Sequence, residues 1–85
     1  LKWLDLDNNQ LTTIDVSNNT ALVELYLRSN QLTAIKGIEN ITNRAVRIVL
    51  RDNPLSKKTK SYLHELQQSG YRNIFYHDQG INWWN

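Results

Sequence analysis

Asp5 and Asp7 stand two residues apart in the stretch Trp3 to Asp7. Alternate residues of an extended strand share a face, so the two carboxylates would project together. Paired carboxylates can divide acid and base roles, or begin a site for a hard cation. No further oxygen ligands cluster near them in sequence. Arg28 lies 21 residues beyond Asp7, at the matching place of a repeated pattern, and is set to pair with it. An exposed pair of this kind is worth at most about 1 kcal/mol. The histidines, His64 and His77, are isolated, and no Ser-His-Asp order surrounds them. Gly37, Gly70 and Gly80 are also isolated, so no glycine loop cradles a phosphate. With no cysteine, thiolate catalysis, disulfides and thiolate zinc sites are excluded. The expectation is a protein that is not an enzyme, with no cofactor and no metal.

Other residue types suit recognition. Tryptophan, tyrosine and arginine most often dominate interface energies. Trp3, Tyr26, Arg28, Arg47 and Arg51 fall at positions that a core does not require. What places them is a repeat. Leu22, Leu25, Leu27, Asn30, Leu32 and Ile35 have counterparts at Leu1, Leu4, Leu6, Asn9, Leu11 and Ile14. A degraded copy follows at Ala45, Ile48, Leu50, Asn53 and Leu55, where the register is open by one residue between Ala45 and Val46.

This L-x-x-L-x-L-x-x-N-x-L pattern resembles the leucine-rich repeat signature. The fold class it implies is an α/β leucine-rich repeat solenoid. A short parallel sheet would line the concave face, with extended or 3₁₀ segments outside it. Leu4, Leu6, Leu25, Leu27, Ile48 and Leu50 would point inward. The intervening residues would form columns across the concave face: Trp3, Glu24 and Arg47; Asp5, Tyr26 and Val49; Asp7, Arg28 and Arg51. Phe75 and His77 would extend the last two columns. Asn9, Asn30 and Asn53 would stack as a ladder, bonding backbone groups that each bend leaves unpaired.

Taken in order, residues 1–55 hold about two and a half repeat turns. The outer segment from Leu11 to Ala21 reads as extended, whereas Ile35 to Ile41, with isoleucines every third residue, suits a 3₁₀ turn. Asn18-Asn19-Thr20 and Asn40-Ile41-Thr42 match the glycosylation acceptor pattern, which arises often by chance in repeats of this composition. The repeat stops at Leu55. Residues 56–79 form a C-terminal cap: Ser56 as N-cap, a helix over 57–69 ended by Gly70, and a strand over 72–77. Lys57, Lys58 and Lys60 crowd the helix start and are read as a solvated face rather than an anion patch. In the tail, residues 80–85, Trp83 and Trp84 are read as folding back or disordered rather than docking a partner.

Eighty-five residues make one small domain, burying only about 60% of the surface of the unfolded chain. A net charge of +2, mixed along the chain, gives no support to nucleic-acid binding. No signal peptide is visible, and no apolar run approaches the roughly 20 residues of a membrane span, so no membrane insertion is expected. Because Leu1 already occupies a core position, the chain reads as the C-terminal part of a longer array. A minimal repeat domain, or an edge paired with a second chain, is the alternative.

Leu32 to Asn43, LTAIKGIENITN, resembles internalin-like bacterial repeats. Asp52 to Tyr76 resembles the C-terminal cap of effector ubiquitin ligases of the IpaH/SspH type, through Asn53-Pro54-Leu55-Ser56, Thr59, Leu63, Tyr71 and Ile74-Phe75-Tyr76. The resemblance implies a bacterial secreted effector or cell-surface protein, and a recognition role without ligase activity. The function expected is a protein–protein interaction module using the concave residues Trp3, Asp5, Asp7, Glu24, Tyr26, Arg28, Arg47, Val49, Arg51 and Phe75. The alternative is a structural capping or spacer segment, with recognition lying upstream.

Overall fold

The structure, a computed structural model, describes residues 2–76. The expectations placed on His77, on residues 78–79 of the cap and on the Trp83–Trp84 tail lie outside the described residues. Each repeat turn supplies two short strands. They are β1 (Trp3–Asp5) and β2 (Thr13–Asp15), then β3 (Glu24–Tyr26) and β4 (Ala34–Lys36). A 3₁₀ turn (Ile38–Asn40), β5 (Arg47–Val49), helix α1 (Lys57–Gln68) and β6 (Ile74–Phe75) complete the chain.

Four strands form one parallel sheet in the order β1-β3-β5-β6. Its register is that of the repeat: Leu4 is opposite Leu25, Leu25 opposite Ile48, and Ile48 opposite Ile74. The backbone ladder runs on past the strand ends, with Leu6 N–H bonding Tyr26 O at 2.7 Å and Leu27 N–H bonding Val49 O at 2.9 Å. Every second side chain therefore enters the interior, where Leu25, Leu27, Ile48 and Leu50 are fully buried. At the β1 side Leu4, Leu6, Leu11 and Ile14 are only partly buried against the same cluster.

The outer segments pair as well, which the sequence reading did not anticipate. β2 and β4 form a second parallel sheet, with Ile14 opposite Ile35. The 3₁₀ turn is thus confined to Ile38–Asn40, because Ala34–Lys36 is drawn into that sheet. Gly37 joins the two with φ of 91°. A Cβ there would lie 2.3 Å from the Ser17 nitrogen, so the turn packs on the backbone of the preceding repeat. The side chains of the second acceptor-like tripeptide serve the same stacking. Asn40 Nδ2 donates to Ser17 O and the Thr42 hydroxyl to Thr20 O, both at 3.2 Å.

The degraded third repeat resolves its register by a turn. The Ala45 N–H donates to Asn43 Oδ1 and the Val46 N–H to Asn43 O, both at 3.0 Å. Ala45 is exposed, and Val46 fills the leucine slot, fully buried.

Helix α1 begins where Ser56 Oγ accepts the Thr59 N–H at 3.1 Å. Thr33 O anchors that start, accepting from the Ser56 N–H at 3.1 Å and the Thr59 hydroxyl at 2.7 Å. The helix ends one residue earlier than expected, with Ser69 as its cap. The Tyr71 N–H bonds Leu66 O and the Gly70 N–H bonds Gln67 O, the paired bonds of a Schellman motif. Gly70 has φ of 117°, the left-handed turn this motif needs. Leu63, Leu66 and Tyr71 join the core, and the Tyr71 hydroxyl donates to Ile41 O at 2.7 Å.

The last strand is shorter than the expected 72–77. Only Ile74 and Phe75 pair with β5. Just before it, the Asn73 side chain is engaged with Ala45 O at 3.2 Å. Arg44 lies over the Tyr71 ring at 4.9 Å, tying the third repeat to the segment that follows the helix.

Candidate functional face

Residues between the inward positions of β1, β3, β5 and β6 share the open face of the larger sheet. The register places Trp3, Glu24 and Arg47 in one row, and Asp5, Tyr26, Val49 and Phe75 in the next. Trp3 is 58% exposed and meets the Tyr26 ring edge-on, with centroids 6.5 Å apart. Arg28 lies 5.9 Å from the centre of Tyr26. Arg47 and Arg51 lie 5.1 and 5.7 Å from that of Phe75. Aromatic faces attract guanidinium groups through their quadrupole, by about 0.5–1 kcal/mol at exposed sites, which favours these placements of the arginines.

The acidic residues of this face are engaged locally. Asp7 accepts from the Arg28 backbone N–H at 2.6 Å and from its guanidinium at 3.0 and 3.2 Å. That is the lateral ion pair expected from the repeat. Its hydrogen bonds, with the charge of Asp7, raise the pKa of Arg28 above the ordinary arginine value. Asp5 Oδ1 accepts the Asp7 N–H at 3.1 Å. The Tyr26 hydroxyl donates to Glu24, and this bond raises the tyrosine pKa. Among the described residues, no group of three or more His, Asp or Glu side chains is placed to hold a metal ion.

Val49 is the member of the expected set that the structure withdraws from contact. It lies on the open face but is 4% exposed, standing in register between Tyr26 and Phe75. The two larger rings leave it as the floor between them. The other nine expected residues are exposed or half-buried.

The turns beneath the face are fixed by two asparagines. Asn30 Nδ2 donates to Leu6 O and Leu27 O, both at 3.0 Å, and Asn30 Oδ1 accepts the Leu11 N–H at 3.2 Å. Asn53 repeats this one turn later, donating to Leu27 O and Leu50 O at 2.9 Å and accepting the Leu32 N–H at 3.0 Å. Asn9 differs from the expected ladder. It is exposed, and it bonds only within its own turn, to Leu6 O at 2.8 Å and Asp7 O at 3.3 Å.

The residue before each asparagine, Asn8, Ser29 or Asp52, has φ near +60°. Sequence reasoning missed this left-handed column. Its signal was the short polar residue at the same place in every turn, since asparagine and aspartate tolerate that conformation best. The Ser29 hydroxyl also donates to Asp52 at 2.8 Å, linking two members of the column.

Away from the face, a groove of about 350 Å³ runs between β4 and the start of α1. Ile35, Lys36, Glu39, Lys58 and Tyr62 are among its lining residues. The Ile38 N–H donates to Tyr62 Oη at 3.1 Å, and the hydroxyl donates to Glu39. Burial first, and the bond to Glu39 second, push the Tyr62 pKa up to about 12. The groove therefore has a structural hydrogen bond at its mouth.

Parallel strands in a 21- to 23-residue register, with buried asparagines bridging successive turns, define a β-repeat protein. A family model described as leucine-rich repeats (2 copies) matches residues 1–43. The chain belongs to the leucine-rich repeat family. No curated protein and no solved structure matches it. Among the described residues, no helix is long and apolar enough to cross a membrane.

Proposed function

We propose that the chain is a non-catalytic protein-recognition module whose partner docks on the open, concave face of the larger sheet. The observation that carries this reading is the set of Trp3, Tyr26 and Phe75 across two adjacent rows of the face, with Arg28 beside the Tyr26 ring and Arg47 and Arg51 beside that of Phe75. A sheet face turned to solvent gains nothing for its own core from an exposed tryptophan. Rings and guanidinium groups already held in place lose little entropy on binding, which favours them as anchors. Trp3, Asp5, Asp7, Glu24, Tyr26, Arg28, Arg47, Arg51 and Phe75 are the contact residues in this reading, with Val49 as floor. The domain is a solenoid end of bacterial type, its repeats spanning residues 1–55. The internalin-like spacing and the resemblance of residues 52–76 to effector caps support that origin, and a secreted or surface location.

A structural reading has its own support in Leu63, Leu66 and Tyr71, which close one end of the leucine core. In that reading residues 56–76 are a cap and recognition lies on other repeats. A photo-crosslinking residue at position 26, compared with one at Thr13 on the second sheet, separates the two. Crosslinking in extracts of the source cells should capture a discrete protein from position 26 and none from position 13. Equal capture, or none from either position, would leave the capping role alone.

A further inference from the structure

The open face is not uniform in charge across its strands. Asp5 lies on β1, Asp7 in the turn after it and Glu24 on β3, whereas Arg47 and Arg51 lie on and just after β5. Arg28 stands between them and is neutralised by Asp7 at 3.0 Å. Glu24, the carboxylate in register beside Arg47, accepts the Tyr26 hydroxyl. Arg47 is exposed and has no ion-pair partner among the described residues. Its guanidinium lies over one ring, that of Phe75, which Arg51 also approaches.

Resting on the recognition reading above, we infer that the β5–β6 side of the face binds a carboxylate-bearing segment of the protein partner. The partner's acid is held by Arg47 beside the Phe75 ring. A guanidinium accepts a carboxylate through two parallel N–H bonds, and these charge-assisted bonds are stronger than neutral ones. The Phe75 ring, 5.1 Å from the guanidinium, restrains the arginine before the partner arrives and so lowers the side-chain entropy lost on binding. Arg51 adds positive potential on the same ring whatever else it touches. Asp5 on β1 and Glu24 on β3, which unlike Asp7 have no ion-pair partner among the described residues, disfavour an acidic segment that docks in the opposite direction, so the same charge pattern sets orientation. The exposed Lys57, Lys58 and Lys60 at the start of α1 are also cationic. Their stems are long and flexible, no aromatic ring among the described residues holds them, and they offer no comparable preset geometry.

The test uses the 85-residue chain, isotope-labelled, with three blocked pentapeptides of glutamate, glutamine or lysine. The glutamate peptide should shift the Arg47 and Phe75 signals, the glutamine peptide should not, and added salt should abolish the effect. Arg47→Gln should weaken glutamate-peptide binding about tenfold while leaving the melting temperature unchanged. The inference is overturned if the shifts gather at Lys57–Lys60, or if Arg47→Gln binds as well as the parent. It is also overturned if the same signals move on concentrating the chain without peptide, which would mean a second copy occupies the face. Failure here with capture still seen at position 26 removes the carboxylate specificity only. Failure of both removes the recognition reading itself.

Discussion

Asn30 and Asn53 each bond the same kinds of backbone group, in adjacent turns. Leu27 O accepts from both side chains, so the two bridges share a carbonyl. Replacing Asn30 by alanine strands the Leu11 N–H and removes a donor from three carbonyls, those of Leu6, Leu27 and Arg28. It should cost about 1–3 kcal/mol in urea unfolding, and Asn53→Ala should cost the same or more because its acceptor bond is fully buried. Asn9→Ala should cost under about 1 kcal/mol, since Asn9 is exposed and bonds only its own turn. Equal losses at all three positions would contradict the bridging role. Gly37 gives a steeper test. Alanine there combines a left-handed backbone with a Cβ 2.3 Å from the Ser17 nitrogen and should cost about 3 kcal/mol. Gly70→Ala shares the backbone cost but meets only the tip of Arg44 at 3.2 Å. It should lose about 1 kcal/mol. These roles were legible in the sequence to different depths. The asparagine spacing named the bridges, but each bridge reaches back to the backbone of the preceding turn, as Asn30 does to Leu6 and Leu11, whereas Asn9 bonds only its own turn at the partly buried β1 side. For Gly37 the sequence showed a bend, and the contact with Ser17 became visible only when the two outer segments were stacked.

At the scale of elements, α1 is tied to the repeats at both ends. Thr33 O takes its N-terminal bonds, and the Tyr71 hydroxyl, just beyond the Schellman turn, reaches Ile41 O. Midway, Tyr62 joins the helix to the 3₁₀ turn through the Ile38 N–H and Glu39. Because the folded state raises the Tyr62 pKa from 10 to about 12, it favours the protonated phenol. That stabilisation is complete below pH 10 and is lost as pH rises through about 12. Tyr62→Phe should lower stability near neutral pH by about 1 kcal/mol, through the stranded Ile38 N–H. Urea midpoints taken between pH 8 and 12 should show the gap to the parent narrowing in the alkaline range; a constant gap would contradict the assignment. The helix and its caps were readable from Ser56 and Gly70, because capping is local chemistry. The pairing of β2 with β4 was not, since Thr13–Asp15 and Ala34–Lys36 have too few apolar residues to announce a sheet. Stacking of the repeats at a fixed period brings them together. The same limit shortened β6, where the Asn73 and Phe75 carbonyls take the Ile48 and Leu50 N–H groups of the β5 edge and the Asn73 side chain turns to Ala45.

For the whole molecule, one sheet divides two jobs by residue parity. Leu25, Leu27, Ile48 and Leu50 hold the turns together, while Glu24, Tyr26, Arg28 and Arg47 face away from that core. The parity and the columns were legible because a two-residue period leaves no freedom about which side faces out. The burial of Val49 was not, because it depends on the size of its neighbours in register rather than on its own position. Nor could the sequence show that Arg47 and Arg51 would share the Phe75 ring, which required β6 to pair at Val49. The division implies that the outward set can be changed without loss of fold. Trp3 and Arg47 are the exposed pair best suited to show it. The most direct measurement is the affinity of a Trp3→Ala/Arg47→Ala variant for the protein captured through position 26, with the unfolding midpoint taken on the same sample. The recognition account predicts a loss of more than about tenfold in affinity with the midpoint essentially unmoved. Unchanged affinity in a folded variant would contradict it.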